Sequence, residues 1–494
     1  MKRIVVIGAG LTGLGAAYAL KEKVGADKDV EILLLEKDNR AGGQVLTVLE
    51  DGFVLECGPD CFISEKPWAF EFTEKLGLSE ELTGTKLATG GTYILKKGQL
   101  IRMPEGVMMI IPTKFKPFIG TKLISWPGKI RAAMDVFIPR RKNLDDDETL
   151  SSFVKRRLGQ EILDVLAEPL IGGIHASDPD TMSVAAIFPR FLKMEKDDRS
   201  LILAMFKAKR KMAKMAKNKP APQSASRAES RNLTDQPPKK CWTMFVSYKN
   251  GMQTLTDGLA EAIGPDILKL KTEVTKIDKG KRTDGRPLYR LRVRGIGEIE
   301  ADAVVLTTLS HGTAELVNGF DNKLAATLAT INCVSSATVN LAYREEDIPR
   351  PLDANGFLVP KVEKKNLMAS TWTTSKWEHR APEGYTMLRA FVGGAFNQDL
   401  VSLKDEEIVS LVKQDLRDIM GIEADPIKVR VTRWPKSMPQ YTLGHLDRVA
   451  VIREREGAHE GLFLAGASYN GVGIPDCLNN GRNSALEALE RVKK

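Results

Sequence analysis

Cysteine is scarce in this chain: five occur among 494 residues, at Cys57, Cys61, Cys241, Cys333 and Cys477, and no two form a C-x-x-C pair. So few cysteines argue against a disulfide-built secreted scaffold. With no histidine at ligand spacing beside them, they argue against a thiolate metal site as well. They are expected to be reduced and mostly buried, with no metal bound. Long apolar runs are missing too. No stretch approaches the ~20 residues that span a bilayer. Met1-Lys2-Arg3 leads directly into Ile4-Val5-Val6-Ile7 and glycines, without a small-residue cleavage site. The chain is therefore expected in the cytoplasm. It has no nucleic-acid-binding motif, no Ser/His/Asp set and no carboxylate pair that demands a catalytic role.

What is present is an ordinary globular composition, with 43% hydrophobic and 28% charged residues. The length implies roughly two to four folding units. A net charge of +9 suits an anionic ligand or an anionic membrane surface. Much of the excess is local, however. Lys207, Lys209, Arg210, Lys211, Lys214, Lys217 and Lys219 run without an interleaved acid, followed by Pro220, Pro222, Pro237 and Pro238. This composition predicts a helix end passing into a disordered basic loop over 207–240. A solvated insertion is its plainer role; attraction to anionic lipid or to a partner protein is the alternative.

The first chemical motif stands at the N-terminus. Residues 3–7 form a β-branched run, read as a buried parallel strand. Gly8-Ala9-Gly10-Leu11-Thr12-Gly13 follows at once, and then an apolar helical pattern. This is G-x-G-x-x-G between strand and helix. Gly8 allows the tight turn, Gly10 admits a pyrophosphate, and Gly13 lets helix and strand pack closely. A second strand, 31–35, ends at Glu36, 23 residues beyond Gly13. A carboxylate there suits ribose hydroxyls and disfavours a 2′-phosphate, which argues against NADP.

Along the rest of the chain a hairpin is expected at 45–55, turned at Asp51-Gly52, then a helix at 66–82 and strands at 92–95 and 99–101. Residues 103–206 read as mostly helical, with one helix starting at Thr149 behind an acidic run. The apolar stretch 108–119 suits a buried core or substrate-channel segment, with a dip into a membrane surface as the alternative. Strands are expected near 245–248, 272–278, 288–294, 298–300, 302–308, 336–343, 366–372 and 386–393, and a helix at 405–419. The strand Gly461–Gly466 and a glycine-rich turn, Gly471-Val472-Gly473-Ile474-Pro475-Asp476-Cys477, precede a helix from about Leu478.

Glu36-Lys37-Asp38-Asn39-Arg40-Ala41-Gly42-Gly43 fits E-x-x-x-R-x-G-G and resembles the extended FAD motif shared by amine oxidases, phytoene desaturases and protoporphyrinogen oxidases. Across almost the whole chain, except 207–240, the sequence is similar to the protoporphyrinogen oxidase family, and most to its bacterial soluble branch. The segments that carry this are Glu168 to Ala176 (EPLIGGIHA), Ser200-Leu201-Ile202-Leu203, Thr371-Trp372-Thr373 with Lys376-Trp377, Ala381-Pro382-Glu383-Gly384, Thr432-Arg433-Trp434, Ser437 to Tyr441 and Gly471 to Cys477. The resemblance implies an α/β (mixed α+β) fold: an FAD-binding Rossmann-like domain of the amine oxidase/protoporphyrinogen oxidase type, a substrate domain, and a helical domain that can face a membrane. Their expected bounds are 1–65, 241–320 and 435–494 for FAD, 66–102 and 321–434 for substrate, and 103–206 for the helical unit.

The same resemblance implies that FAD lies against Gly8, Ala9, Gly10, Leu11, Thr12, Gly13, Glu36, Lys37, Arg40, Gly42 and Gly43. It adds Gly58, Pro59, Asp60 and Cys61 near the flavin, Val274 near the adenine, and Trp434, Gly466, Val472, Gly473 and Ile474. Eukaryotic and plastid members carry an arginine near the strand 92–95, thought to hold a substrate carboxylate; Thr92 stands there. That departure favours coproporphyrinogen III over protoporphyrinogen IX as substrate. It leaves Lys66, Arg102 and Ile174 as candidate substrate contacts. The implied reaction removes six electrons to form the aromatic porphyrin. O2 is the acceptor, since no second dinucleotide motif points to a nicotinamide. Contact with an anionic membrane or with a later enzyme of haem synthesis is the partner expectation. A flavin amine oxidase and a non-catalytic FAD- and porphyrin-binding scaffold remain as alternatives.

Overall fold

The computed structural model describes residues 2–25, 29–108, 110–112, 114–143, 146–217 and 242–493, with the backbone alone at 108, 112, 115, 174 and 212–217. Ile4, Val5 and Val6 are fully buried because their strand, Lys2–Ile7, is central in a parallel sheet. The sheet order is Leu268–Lys269, Val30–Leu35, Lys2–Ile7, Ala303–Leu306 and Leu462–Leu464. Alternating side chains serve two cores. Ile4 and Val6 face the first helix (Leu11–Val24), the last helix (Ile474–Lys493) and Gln253–Ile263. Val5 and Ile7 face a three-stranded antiparallel sheet, Val274–Lys281, Pro287–Val293 and Gly297–Ala301.

The first and last helices meet almost backbone to backbone. A Cβ on Gly481 would lie 1.9 Å from the Thr12 carbonyl oxygen, and one on Gly15 would lie 2.8 Å from that of Leu478. Only glycine allows such an approach. The C-terminal end of the chain is thereby locked onto the helix that follows the N-terminal glycine turn.

A second, seven-stranded sheet runs in the order Lys428–Pro439, Cys333–Arg344, Tyr385–Gly393, Leu367–Trp372, Gly356–Leu358, Tyr93–Lys96 and Gln99–Arg102. One face carries Val339, Leu341, Leu388, Ala390 and Val392 and is covered by the helix Asp405–Met420 through Ile408, Val412 and Leu416. The opposite face carries Ala342 and Met387, which pack on Phe53 and Leu55. The third unit is helical. Its core includes Phe153, Leu166 and Ile171 and encloses a buried ion network in which Arg157 reaches Asp135 at 3.2 Å and Glu195 at 2.9 Å.

Several expectations are corrected. The last helix begins at Ile474, four residues before Leu478, because Pro475 fits a first helical turn, where its missing N–H costs nothing. The long strand Lys428–Pro439 escapes pattern reading, since Pro435 and charged residues interrupt it; it is an edge strand, where proline is tolerated. Ile110, Ile111 and Phe118 are buried in the helical unit's core, in keeping with the core reading of 108–119, while Lys114, Lys116 and Ile119 are exposed. In the stretch 66–102 the helix Trp68–Lys75 packs through Ala69 and Phe72 on the parallel-sheet unit, and only the two strands from Tyr93 onward join the larger sheet. Residues 435–439 belong to that larger sheet. In the basic segment, the helix Leu201–Lys217 continues well past 207, and Lys207 pairs with Asp198 at 2.7 Å; residues 218–241 lie outside the described residues.

A Gly481→Ala variant is expected to lose about 3 kcal/mol or more in urea unfolding, because overpacking against a backbone oxygen leaves no side chain free to yield. Cofactor content after purification, read by flavin absorbance, is expected to fall with it.

Candidate functional site

The glycine turn is built by crowding on one side and openness on the other. A Cβ on Gly13 would lie 1.8 Å from the Gly8 carbonyl oxygen, whereas one on Gly10 meets nothing within 4 Å. Gly8 has φ +98°. The Thr307 hydroxyl donates to the Ile7 and Gly8 carbonyls, both at 2.8 Å, and fixes the turn from the neighbouring strand. Glu36 is buried at the end of its strand. Its carboxylate accepts from the Ala9 N–H at 2.6 Å and from the Asp38 N–H at 2.9 Å, so it braces the turn while keeping lone pairs free for a hydroxyl. The Gly42 N–H donates to the Ala9 carbonyl at 2.8 Å. Arg40 spends its guanidinium on the carbonyls of Ala41, Gly43 and Val45. It clamps the Gly42-Gly43 bend, while Lys37 is exposed. This cradle, open at Gly10 beside a helix N-terminus, can receive a pyrophosphate.

Residues 56–61 cross beneath the uncovered face of the seven-stranded sheet. The Trp434 indole and the Thr338 hydroxyl both donate to the Cys57 carbonyl at 2.7 Å, and the Asn340 amide donates to the Glu56 carbonyl at 3.1 Å. A Cβ on Gly58 would lie 1.8 Å from the Gln44 carbonyl oxygen. Asp60 is buried and accepts from Lys376 at 2.8 Å and from the Trp377 indole at 3.1 Å. Burial alone would raise its carboxyl. The Lys376 and Arg389 cations outweigh that and hold it well below the usual carboxylate range. Burial and the neighbouring Asp60 push the Cys61 thiol up to about 12, so it stays protonated. The four described cysteines are free thiols.

From the other end of the chain, the strand Leu462–Leu464 leads to Gly466 (φ +132°) and then to Gly471 (φ +76°). The Gly473 carbonyl accepts from the Cys477 N–H at 2.9 Å, so Val472-Gly473-Ile474 forms the entry to the last helix. Val274 opens the strand Val274–Lys281 beside the parallel sheet.

The structure redistributes the substrate candidates. Lys66 is bound to Asp476 in the first turn of the last helix, at 2.6 Å to both carboxylate oxygens, which ties it to the C-terminal turn. Arg102 sits exposed on the outermost strand, paired with Asp353 at 3.3 Å and with the Gly90 carbonyl, and is not gathered with the other site residues. Ile174 lies in the helix Glu168–His175, and its side chain is outside the description. That helix ends at the sheet: the Ala395 N–H donates to the Ala176 carbonyl at 2.8 Å. Burial pushes His175 down to about 4, leaving it neutral near pH 7. Sequence reasoning missed the buried charges Glu56, Arg380 and Arg389. Their only signal was ionisable residues inside otherwise apolar strands or beside family segments. No group of three His, Cys, Asp or Glu side chains among the described residues is placed to hold a metal. No described helix is long and apolar enough to cross a membrane.

A dinucleotide cradle set against a sheet over its floor defines a class: the flavin-dependent oxidoreductases. The chain belongs to the flavin containing amine oxidoreductase family, whose profile matches residues 11–489. It is 35% identical to the coproporphyrinogen III oxidase of Bacillus subtilis, over 99% of this chain and 98% of that protein. It is 33% identical to the coproporphyrinogen III oxidase of Staphylococcus aureus, over 99% of both. The crystal structure of a putative protoporphyrinogen oxidase from Exiguobacterium superposes with a TM-score of 0.81 at 32% identity, covering 99% of each chain.

Lys376→Met is expected to destabilise the protein by about 3–5 kcal/mol at pH 7.5, because it leaves the buried Asp60 carboxylate uncompensated. With Lys376 present, the depressed pKa of Asp60 contributes stability that is full above the ordinary Asp value and lost as pH falls. Without it, the carboxyl rises and the variant regains ground as Asp60 protonates. The gap between the two proteins should therefore narrow from pH 7.5 to pH 4.5 in urea unfolding, and Asp60→Asn added to Lys376→Met should restore part of it.

Proposed function

We propose that the protein is an FAD-dependent oxidase of haem synthesis that converts coproporphyrinogen III into coproporphyrin III. Six electrons and six protons leave the substrate, and three O2 become three H2O2. The observation that carries this reading is the 35% and 33% identity with coproporphyrinogen III oxidases over essentially the full chain. The residues present fit the cofactor: the cradle is open at Gly10, where a side chain would meet nothing, and the buried Glu36 stands at its rim.

Bound FAD supplies the two-electron acceptor for each of the three cycles. On this reading the N–H groups of the Gly8–Gly13 turn and the first helix's N-terminal end hold the pyrophosphate. Glu36 would accept from the ribose, Val274 would face the adenine, and Gly42-Gly43 would leave room for the cofactor to pass the backbone. Gly58, Pro59, Asp60, Cys61, Trp434, Gly466 and Val472 to Ile474 would hold the ring. The N-terminal end of the last helix favours negative charge beside Gly473. Lys66 and Asp476 pin that helix end, and the Lys376–Asp60 pair fixes the floor. Aromatisation of the macrocycle drives the reaction, so the pyrrole protons leave without a strong protein base. The same reading places the work in the cytoplasm, in contact with an anionic membrane or a later enzyme of haem synthesis; the exposed Lys209, Arg210 and Lys211 support an anionic contact surface.

Anaerobic stopped-flow bleaching of the flavin tests the reading. Coproporphyrinogen III is expected to reduce the flavin of the holoenzyme with a second-order rate constant about tenfold or more above that of protoporphyrinogen IX, a difference of about one charged contact in the transition state. The opposite order would identify protoporphyrinogen IX as the substrate. Bleaching by a simple amine but by no porphyrinogen would make the protein an amine oxidase, and slow bleaching by every substrate would make it a scaffold.

A further inference from the structure

The floor of the site carries a charge imbalance. Five ionisable side chains with residual exposure of 9% or less meet where residues 56–61 cross the sheet face: Glu56 and Asp60 against Lys376, Arg380 and Arg389. Three cations thus face two carboxylates. Four of the five are engaged. Asp60 takes Lys376 and Trp377. Glu56 takes the Met252 N–H at 2.8 Å and the Thr47 hydroxyl at 2.8 Å. Arg380 donates to the Ser247 hydroxyl at 2.9 Å and the Tyr248 carbonyl at 3.0 Å, with Glu56 at 3.9 Å. Burial raises the Glu56 carboxyl above its ordinary value, against the lowering pull of Arg380.

Arg389 is the exception. It is 4% exposed and acts on Asp60 and Glu56 through charge at longer range, yet among the described residues it makes no hydrogen bond and no ion pair within 4 Å. Its contact is the Phe391 ring, 4.5 Å from the guanidinium carbon to the ring centroid, and its Nε is buried with no partner. It stands in the middle of the sheet, in register with Asn340 on one side and Thr371 on the other. Its face is fixed by its neighbours. Two residues earlier Met387 packs on Phe53, and Asn340 across the strand reaches the Glu56 carbonyl. Arg389 therefore points from the substrate-side sheet toward the floor, next to Thr371, which lies in one of the family-like segments. A buried guanidinium left without an acceptor costs several kcal/mol, so the complete site has to bring one. A flat fork of N–H donors is matched in shape and charge by a carboxylate.

We propose that Arg389 anchors a propionate carboxylate of the substrate, through paired N–H···O hydrogen bonds made while Phe391 supports the guanidinium plane. The inference rests on the porphyrinogen reading and deepens it. It supplies an anchor inside the site that Arg102, at the sheet's outer edge, does not. The competing acceptor is a carbonyl oxygen of the flavin, which would make Arg389 a cofactor contact instead.

Binding of the product separates these. Holoenzyme is titrated with coproporphyrin III and with its tetramethyl ester, which keeps the macrocycle and removes the four charges. Native protein, Arg389→Met and Arg389→Lys are compared, with thermal unfolding and flavin content confirming folded holoenzyme. Arg389→Met is expected to weaken coproporphyrin III binding about 10- to 100-fold, the worth of a charged hydrogen-bond pair, and to change ester binding less than about threefold. Arg389→Lys should fall between, since it keeps the charge and loses the fork. KM for coproporphyrinogen III should rise in the same order, while the flavin absorption spectrum stays as in the native protein. Equal loss of acid and ester binding, or a shifted flavin spectrum with acid binding intact, would overturn the assignment. If Arg389→Met fails to fold, the Arg389→Lys acid-to-ester ratio decides alone. Native holoenzyme that binds neither compound would overturn the porphyrinogen reading itself, whereas native binding matched by Arg389→Met would overturn only the anchor.

Discussion

Two helices from opposite ends of the chain touch through glycine, with no room for a Cβ on Gly481 and a tight approach at Gly15. The first helix follows the Gly8–Gly13 turn, and the last begins at the Val472-Gly473-Ile474 turn. Their contact therefore fixes the distance between the two glycine-rich turns to within the tolerance of packed backbone. Everything intervening, about 450 residues by the spacing of these turns, must fold so that both ends arrive together. The parallel sheet does this by inserting Ala303–Leu306 and Leu462–Leu464 beside Lys2–Ile7, in order, from distant parts of the chain.

The second constraint is the segment 56–61. It belongs by sequence to the unit with the glycine turn, yet its carbonyls are held by Thr338, Asn340 and Trp434 of the larger sheet. The Lys376–Asp60 pair joins the same two units by charge. Neither unit can shift without exposing a buried ion or breaking a hydrogen bond to the floor. That rigidity is what a cofactor-dependent oxidation asks of a protein: the reacting partners must be held, and little else is required of the side chains.

The nucleotide turn was legible because its requirements are local. A strand, three glycines, a helix and an acid at fixed spacing describe one short stretch, and the structure adds the Thr307 hydroxyl that fixes the turn, the bracing role of Glu36, and Arg40 as a clamp on the Gly42-Gly43 bend. The hairpin turn was equally plain: Asp51 and Gly52 both have positive φ, as a two-residue hairpin turn demands, and Lys97-Gly98, between the strands Tyr93–Lys96 and Gln99–Arg102, has the same conformation. The long edge strand Lys428–Pro439 was hidden, since an edge strand needs neither alternation nor freedom from proline. The start of the last helix was hidden behind Pro475, a residue that reads as a breaker except in a first turn. The buried charges were the least legible. Nothing local distinguishes Arg389 from any basic residue in a strand; only the register with Asn340 and Thr371 shows that it faces inward. Arg102 looked equally suitable in the sequence and proves to be a surface residue.

On the proposed function, one flavin site is assembled from both ends of the chain beneath the seven-stranded sheet, with residues 56–61 as its floor. A crystal structure of the holoenzyme with coproporphyrin III tests it most directly. Continuous flavin density is expected from the Gly8–Gly13 turn to the Val472-Gly473-Ile474 turn, with the ring beside Cys57 to Cys61 and the porphyrin between it and the sheet face that carries Arg389. Flavin bound away from the C-terminal turn, or a porphyrin on the face covered by the helix Asp405–Met420, would contradict it.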